Sequence, residues 1–224
     1  MLGWEYAGLA PEVRKTFEVA LHAGSAPALC VAVRRCGLGP LGRLGLTLLP
    51  PAVIGGLFES AIERRLGGTA SVCAGQVAGG VALLLTDFAP ERRGSPGAGD
   101  HLAVGLAQAA ALLPGVSRSG AALTAGRLRG LSRSAAARLS LRAALPVTLA
   151  AGALKGTRMA RTPLAPKLNV SLAAGCAAAL ASSVASLPLL STLERPGAVR
   201  VLALYRIALG VTVLALGPPP GQVE

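Results

Sequence analysis

The sequence predicts an all-α, polytopic integral membrane protein, and three observations carry that prediction. Hydrophobic residues make up 52% of the chain, and the mean hydropathy is +0.58. Charged residues make up 14%, against about 25% in a soluble domain. The charges gather between apolar runs, several of which approach the ~20 residues that a bilayer-spanning helix needs. In hydrocarbon every backbone N–H and C=O must be bonded within its own segment, so such runs are expected as helices. The 224 residues read as a single membrane domain. It has a polar N-terminal segment over 1–16, a loop over 90–101 between two parts, and a tail over 217–224.

The first apolar run, Phe17 to Val33, ends at Arg34-Arg35. Leu44 to Phe58 follows, then ESAIERRLGG, a polar connection carrying both signs of charge. The third run spans Thr69 to Leu85, and Asp87 marks its exit. PERRGSPGAGDH, residues 90–101, combines Pro, Gly and charge without periodicity and reads as a loop. Two short stretches, Leu102 to Leu113 and Ala121 to Ala125, flank Pro114-Gly115. Beyond the arginine-studded RLRGLSRSAAARLSLR, a run from Ala143 to Leu154 contains Pro146. KGTRMARTPLAPK is a second basic loop. Leu168 to Leu190 and Val199 to Leu216 close the membrane part, and GPPPGQVE reads as a frayed end.

The net charge is +12, from 22 Lys+Arg against ten acids. Aromatics are only 3% and no basic amphipathic helix stands apart, which argues against a nucleic-acid partner. Attraction to anionic lipid head groups is the simpler account. Residues 34–43 carry three positive charges, 155–167 four and 127–142 five, so charge counting fixes no orientation. Cys30, Cys36, Cys73 and Cys176 form no C-x-x-C pair, and neither a disulfide framework nor a zinc site is indicated. MLGWEYAGLAPEVRK lacks the basic start and apolar core of a secretory signal.

The chemistry concentrates in LLPGVSRSGAAL, residues 112–123. Leu102 to Leu113 is too short, at ~1.5 Å per residue, to cross ~30 Å of hydrocarbon. Pro114-Gly115 then stops the helix, and the next stretch is shorter still. Two half-length helices joined by a polar turn make a re-entrant hairpin, tolerated at membrane depth only where protein or a watery cavity surrounds it. A second half-helix starting at Ser119 or Gly120 aims free N–H groups and a positive dipole end at an anion. Arg118 adds a planar fork suited to phosphate oxygens, and Ser117 and Ser119 add hydroxyls. Gly115 and Gly120 let backbone approach a ligand. The plain alternative is a surface turn whose arginine snorkels to head groups. Two flanking half-helices favour the anion site, because intramembrane arginines are rare without a function.

GLAQAAALLPGVSRSGAALTAGRLRGLSRSAAARLS resembles the signature of the bacterial undecaprenyl-diphosphatase family of the bacitracin-resistance type. The resemblance extends to KTFEVALHAGS, PPAVIGGLFE, AALPVTLAAGA and the late YRIALG, from about Lys15 to Leu216. It implies a multi-pass hydrolase of the bacterial plasma membrane. Such an enzyme converts undecaprenyl diphosphate to undecaprenyl phosphate and phosphate, recycling the lipid carrier for cell-wall synthesis. It further implies inverted repeats, each with a re-entrant hairpin, here half complete. The diphosphate would be held by Arg118 with Ser117 and Ser119, on backbone opened by Gly115 and Gly120. A divalent cation, Mg2+ or Ca2+, is implied as cofactor, but its ligands are not found in this chain. Homodimer formation is left open.

One family motif has no match: a pair of glutamates spaced E-x-x-x-E, then Pro-x-Ser-Ser-x-Gly-His. LGWE, residues 2–5, resembles the segment just after it, so Met1 is expected to fall partway into a family member. Glu18 and His22 share a helical face, and Glu59 and Glu63 are also four apart, but neither pair replaces that motif. The first reads as a structural polar pair, the second as solvated beside Arg64 and Arg65 in a loop. Arg142, four after Arg138, departs from the family pattern and reads as a helix-end residue reaching water rather than a second cavity arginine. The expected function is therefore the diphosphatase, with activity impaired by the absent motif. A non-catalytic polyprenyl-phosphate binding or transport protein, or a remnant that does not insert, are the rivals.

Overall fold

The computed structural model describes residues 21, 24–34, 37, 41–159, 166–195 and 197–217. Its regular elements are helices: α1 (24–34), α2 (Leu41–Leu66), α3 (Thr69–Asp87), α4 (Ala98–Ala110), α5 (Arg118–Leu128), α6 (Arg133–Met159), α7 (Pro166–Ala185) and α8 (Ala198–Leu216). A 3-10 segment, Leu187–Glu194, precedes α8. Glu18 and His22 lie outside the described residues.

The helices fall into two compact units. One comprises Met1–Gly37 and Leu145–Pro188, the other Leu38–Ala144 and Leu189–Glu224. In the first unit, α1 and α7 approach so closely that a Cβ on Gly24 would lie 2.8 Å from the Cys176 carbonyl oxygen.

The second unit carries the hairpin. Its α3 and α8, 19 residues each, are long and apolar enough to cross a membrane. They meet through small side chains: a Cβ on Gly80 would lie 3.0 Å from the Ala203 carbonyl, and one on Gly210 the same distance from that of Cys73. Close backbone approach of this kind replaces the hydrophobic drive that lipid cannot supply. The outer faces are greasy, with Leu85 63%, Leu128 68% and Val201 68% exposed. The interior instead buries Asp87, Asp100, Gln108 and Arg127 among small apolar residues. That distribution suits a protein whose solvent is hydrocarbon.

Several boundaries move from those the sequence predicts. ESAIERRL is helical, as the end of α2, because it contains good helix formers and no Gly or Pro before Gly67. Glu59 and Glu63 therefore sit on a helix, not in a loop. The helix does not run straight: Gly42–Phe58 and Ser60–Leu66 meet at 56°. The loop expected to reach residue 101 ends at Gly97, since the Asp100 carboxylate accepts from the Gly97 amide at 2.7 Å and starts α4 early. The arginine-rich stretch from Arg133 onward and the Ala143 run merge into the 27-residue α6, whose first turn is capped by the Ser132 hydroxyl.

Candidate functional site

The α4–α5 hairpin stands on an ion-pair network at its base. Asp87, at the end of α3, binds Arg133 of α6 at 3.2 Å and Arg200 of α8. Glu91 binds Arg133 at 2.6 Å and Arg127 at 3.5 Å. Asp100, at the start of α4, takes a bidentate fork from Arg93 at 2.9 and 3.0 Å and a third bond from Arg129 at 2.6 Å. Burial opposes the charge on Asp100. Arg93, the Gly97 amide and Arg129 outweigh it and hold the carboxyl well below the usual carboxylate range. Arg127, 3% exposed, is bonded to the carbonyls of Thr86, Ala89 and Leu131. Those bonds let α5 continue through Arg127 to Leu128, three residues beyond the apolar stretch the sequence suggests.

From this base α4 runs inward. The Gln108 amide donates to the Thr47 carbonyl of α2 at 3.2 Å, and Gly105 leaves room for the α2 backbone at Leu46. The chain turns over residues 111–117. Gly115, with φ of +84°, lies directly against the Val72 carbonyl of α3. An added Cβ there would meet strain and collision together, which is why only glycine serves. Gln76 of α3, also within reach of Gly115, is eleven residues from Asp87, so the turn sits ~16 Å from the base along that helix.

At the turn the polar groups are sparsely paired. Ser117 is the N-cap of α5, its hydroxyl accepting from the Gly120 amide at 3.1 Å. The amides of Arg118 and Ser119, in the first helical turn, have no intrahelical acceptor. Arg118 is half-buried and has no ion pair or hydrogen bond among the described residues. Arg206 of α8 donates to the Gly115 carbonyl at 2.7 Å, and the Ser140 hydroxyl of α6 donates to the Ser119 carbonyl at 3.0 Å. Three helices, α3, α6 and α8, thus hold this one segment.

The five residues singled out in the sequence therefore fall in one short segment, with different surroundings. Ser117 and Gly120 line a cavity of about 230 Å³ that opens between α3, α4 and α5. Gly115 shapes the turn behind it. Ser119 is exposed, and neither it nor Arg118 is part of the cavity wall. The second half-helix begins at Arg118 rather than Ser119 or Gly120, because Ser117 takes the capping role. Arg138 binds Ser134 at 3.3 Å and Glu194 at 3.8 Å, and Arg142 is half-buried and engaged.

Sequence reasoning missed Arg206, Ser140 and Thr124, the last a hydroxyl in the cavity wall. The signal for Arg206 was available: it is a cation at the middle of an otherwise apolar run. Nothing local marks Ser140 or Thr124.

A divalent cation does not fit the described donors. No group of three His, Cys, Asp or Glu side chains among them could hold a metal ion. The described acidic side chains, Asp87, Glu91, Asp100 and Glu194, are all taken by arginines. His101 of α4 is 2% exposed, and its ring nitrogens have no partner among the described residues. Burial and the neighbouring Arg43 charge push its imidazole below the usual value, towards the neutral form.

Comparisons with known proteins bear on the family of this chain. The family model described as "Bacitracin resistance protein BacA" matches residues 2–212. The undecaprenyl-diphosphatase of Chromohalobacter salexigens is 34% identical, across 96% of this chain and 86% of its own length. That of Geobacter sulfurreducens is likewise 34% identical, with the same two coverages. The undecaprenyl-diphosphatase of Anaeromyxobacter sp. strain K is 46% identical over a shorter region, 52% of this chain and 41% of its own. With nearly the whole chain matched, and its hairpin built around an arginine turn, the protein belongs to the bacitracin resistance protein BacA family.

Proposed function

We propose that this chain hydrolyses undecaprenyl diphosphate to undecaprenyl phosphate and inorganic phosphate in the bacterial plasma membrane. Water supplies one oxygen to the terminal phosphorus, the P–O–P bridge breaks, and the bridging oxygen stays with the lipid phosphate. The observation that carries the reading is Arg118, half-buried at the N-terminus of α5 and without an ion pair or hydrogen bond among the described residues, ~16 Å along α3 from the ion-pair base. In this reading Arg118 holds the terminal phosphate through its fork of donors. The open amides of α5 and the hydroxyls of Ser117 and Ser119 meet the negative charge that builds as the bridge breaks. Gly120 lines the cavity beside these donors, and Gly115 lets the turn pack against α3.

The names of the relatives favour hydrolysis over a binding or transport role without chemistry. The chain crosses the membrane more than once, α3 and α8 each spanning it. Homodimer formation remains an expectation that sedimentation in detergent decides.

The test is phosphate release from undecaprenyl diphosphate by the purified protein in detergent, with inorganic pyrophosphate as the control substrate. Release from the lipid well above that from pyrophosphate is the expected result. Tight binding of the lipid without any release overturns the hydrolase reading and leaves a carrier.

A further inference from the structure

The cavity at the turn extends well past the anion donors, and the direction it takes is informative. Its α5 wall is made by Ser117, Ala121, Thr124 and Leu128, which recur on one face from the first turn of the helix to the last. At 1.5 Å per residue, α5 gives the cavity a wall about 16 Å long. Opposite it, α3 contributes Gly79 and Ala82, and α4 contributes Ala107 and Ala110. Every one of these α3 and α4 positions is Gly or Ala, so the space exists because side chains are missing. Leu128, at the far end of this wall, is 68% exposed.

A free anion needs only the polar end of such a space. A long apolar groove that shares Ser117 and Gly120 with the anion turn suits a ligand with a phosphate head and a narrow hydrocarbon tail. The geometry points to this groove as the seat of the diphosphate-proximal isoprene units, with Ala82, Ala107 and Ala121 setting which tails are accepted. The inference rests on the proposed substrate and adds to it the element of the enzyme that reads the tail. Burying the first isoprene units against these walls also draws the diphosphate down to the turn, so tail binding positions the head.

Two experiments test it. Ala107→Leu and Ala82→Leu each add side-chain volume to the groove. One methylene in an apolar pocket changes selection by about 10–200-fold. The ratio of kcat/KM for undecaprenyl diphosphate to that for isopentenyl diphosphate is therefore expected to fall by about tenfold or more in each variant. A ratio within about twofold of the starting protein, or an equal fall on both substrates, overturns the inference.

The second experiment needs neither a variant nor turnover. An undecaprenyl phosphate carrying a diazirine in its first isoprene units is photolysed with the unaltered protein in nanodiscs. Label is expected on peptides holding residues 79–82, 107–110 and 121–128, and to persist under excess phosphatidylglycerol. Label confined to other helices, or removed by phosphatidylglycerol, overturns the inference. Groove labelling without hydrolysis refutes the proposed reaction while keeping the tail site.

Discussion

The two ends of the α4–α5 hairpin use arginine in opposite ways. At the base, Arg93, Arg127, Arg129, Arg133 and Arg200 are joined to Asp87, Glu91 and Asp100 or to backbone carbonyls. At the turn, among the described residues, Arg118 has no such partner and Arg206 donates to a carbonyl oxygen. The base is electrostatically closed, so it holds helices together. Among the described residues the turn has donors in excess of acceptors, the arrangement that the proposed anion site requires. In an interior of low dielectric, leaving a guanidinium unpaired is costly, and the cost makes sense where a ligand supplies the missing charge.

Removing the guanidinium at the turn should produce the largest effect. Arg118→Ala is expected to lower phosphate release by about 10²–10³-fold, the range for losing one preorganised charge-stabilising donor. Its melting temperature in detergent should stay close to that of the starting protein. Arg118→Lys should recover only part of the rate, since an ammonium lacks the planar fork. A large fall in melting temperature with unchanged kcat per folded molecule would reverse the comparison, making the turn the structural end.

Cutting the base should do the converse. Asp87→Ala leaves Arg133 and Arg200 without their buried partner. Removing one member of a buried pair costs about 3–5 kcal/mol, and the low end applies because Arg200 is half exposed. Denaturant unfolding in detergent reads this directly. An unchanged midpoint would mean that the network contributes nothing to stability.

A smaller effect is expected at Arg206, which touches the turn without being free. Arg206→Ala releases the Gly115 carbonyl, and kcat should fall by about tenfold through loss of alignment, less than at Arg118. Arg206→Lys keeps a donor and should restore most of that rate. No difference between Ala and Lys would remove Arg206 from the positioning of the turn.

The smallest effect is acidic. Asp100 has its carboxyl pKa depressed in the folded state, so it contributes stability that is fully present above its unfolded value of about 3.9. That contribution is lost as pH falls further, through the depressed folded value. Stability measured from neutral pH down to about pH 5 should therefore show no loss from this group, and Asp100→Asn should flatten the decline below about pH 4.

Much of this contrast can be read along the chain, and part of it cannot. Pro114-Gly115 between two short apolar stretches announces the hairpin, and S-R-S-G announces the donors, because turn chemistry and half-helix length are local properties. Helix ends were less legible. ESAIERRL looked like a polar connection because its charges masked good helix propensity, and the start of α4 depends on a single carboxylate reaching back to Gly97. The arginines were the hardest to sort. The local motif marks Arg118, but that Arg127 is saturated, and that Arg118 has no partner among the described residues, depends on distant segments.

The sequence by itself determined that the chain is a helical membrane protein and that one hairpin brings Arg118 to a turn between two short helices. Both follow from hydropathy and backbone chemistry over windows shorter than a helix. Only the tertiary structure decided which guanidinium lacks a partner among the described residues and where the groove runs. Asp87 meets Arg133 from 46 positions away and Arg200 from 113, and the groove has walls on three separate helices. Charge pairing and empty volume are properties of how distant segments fit together.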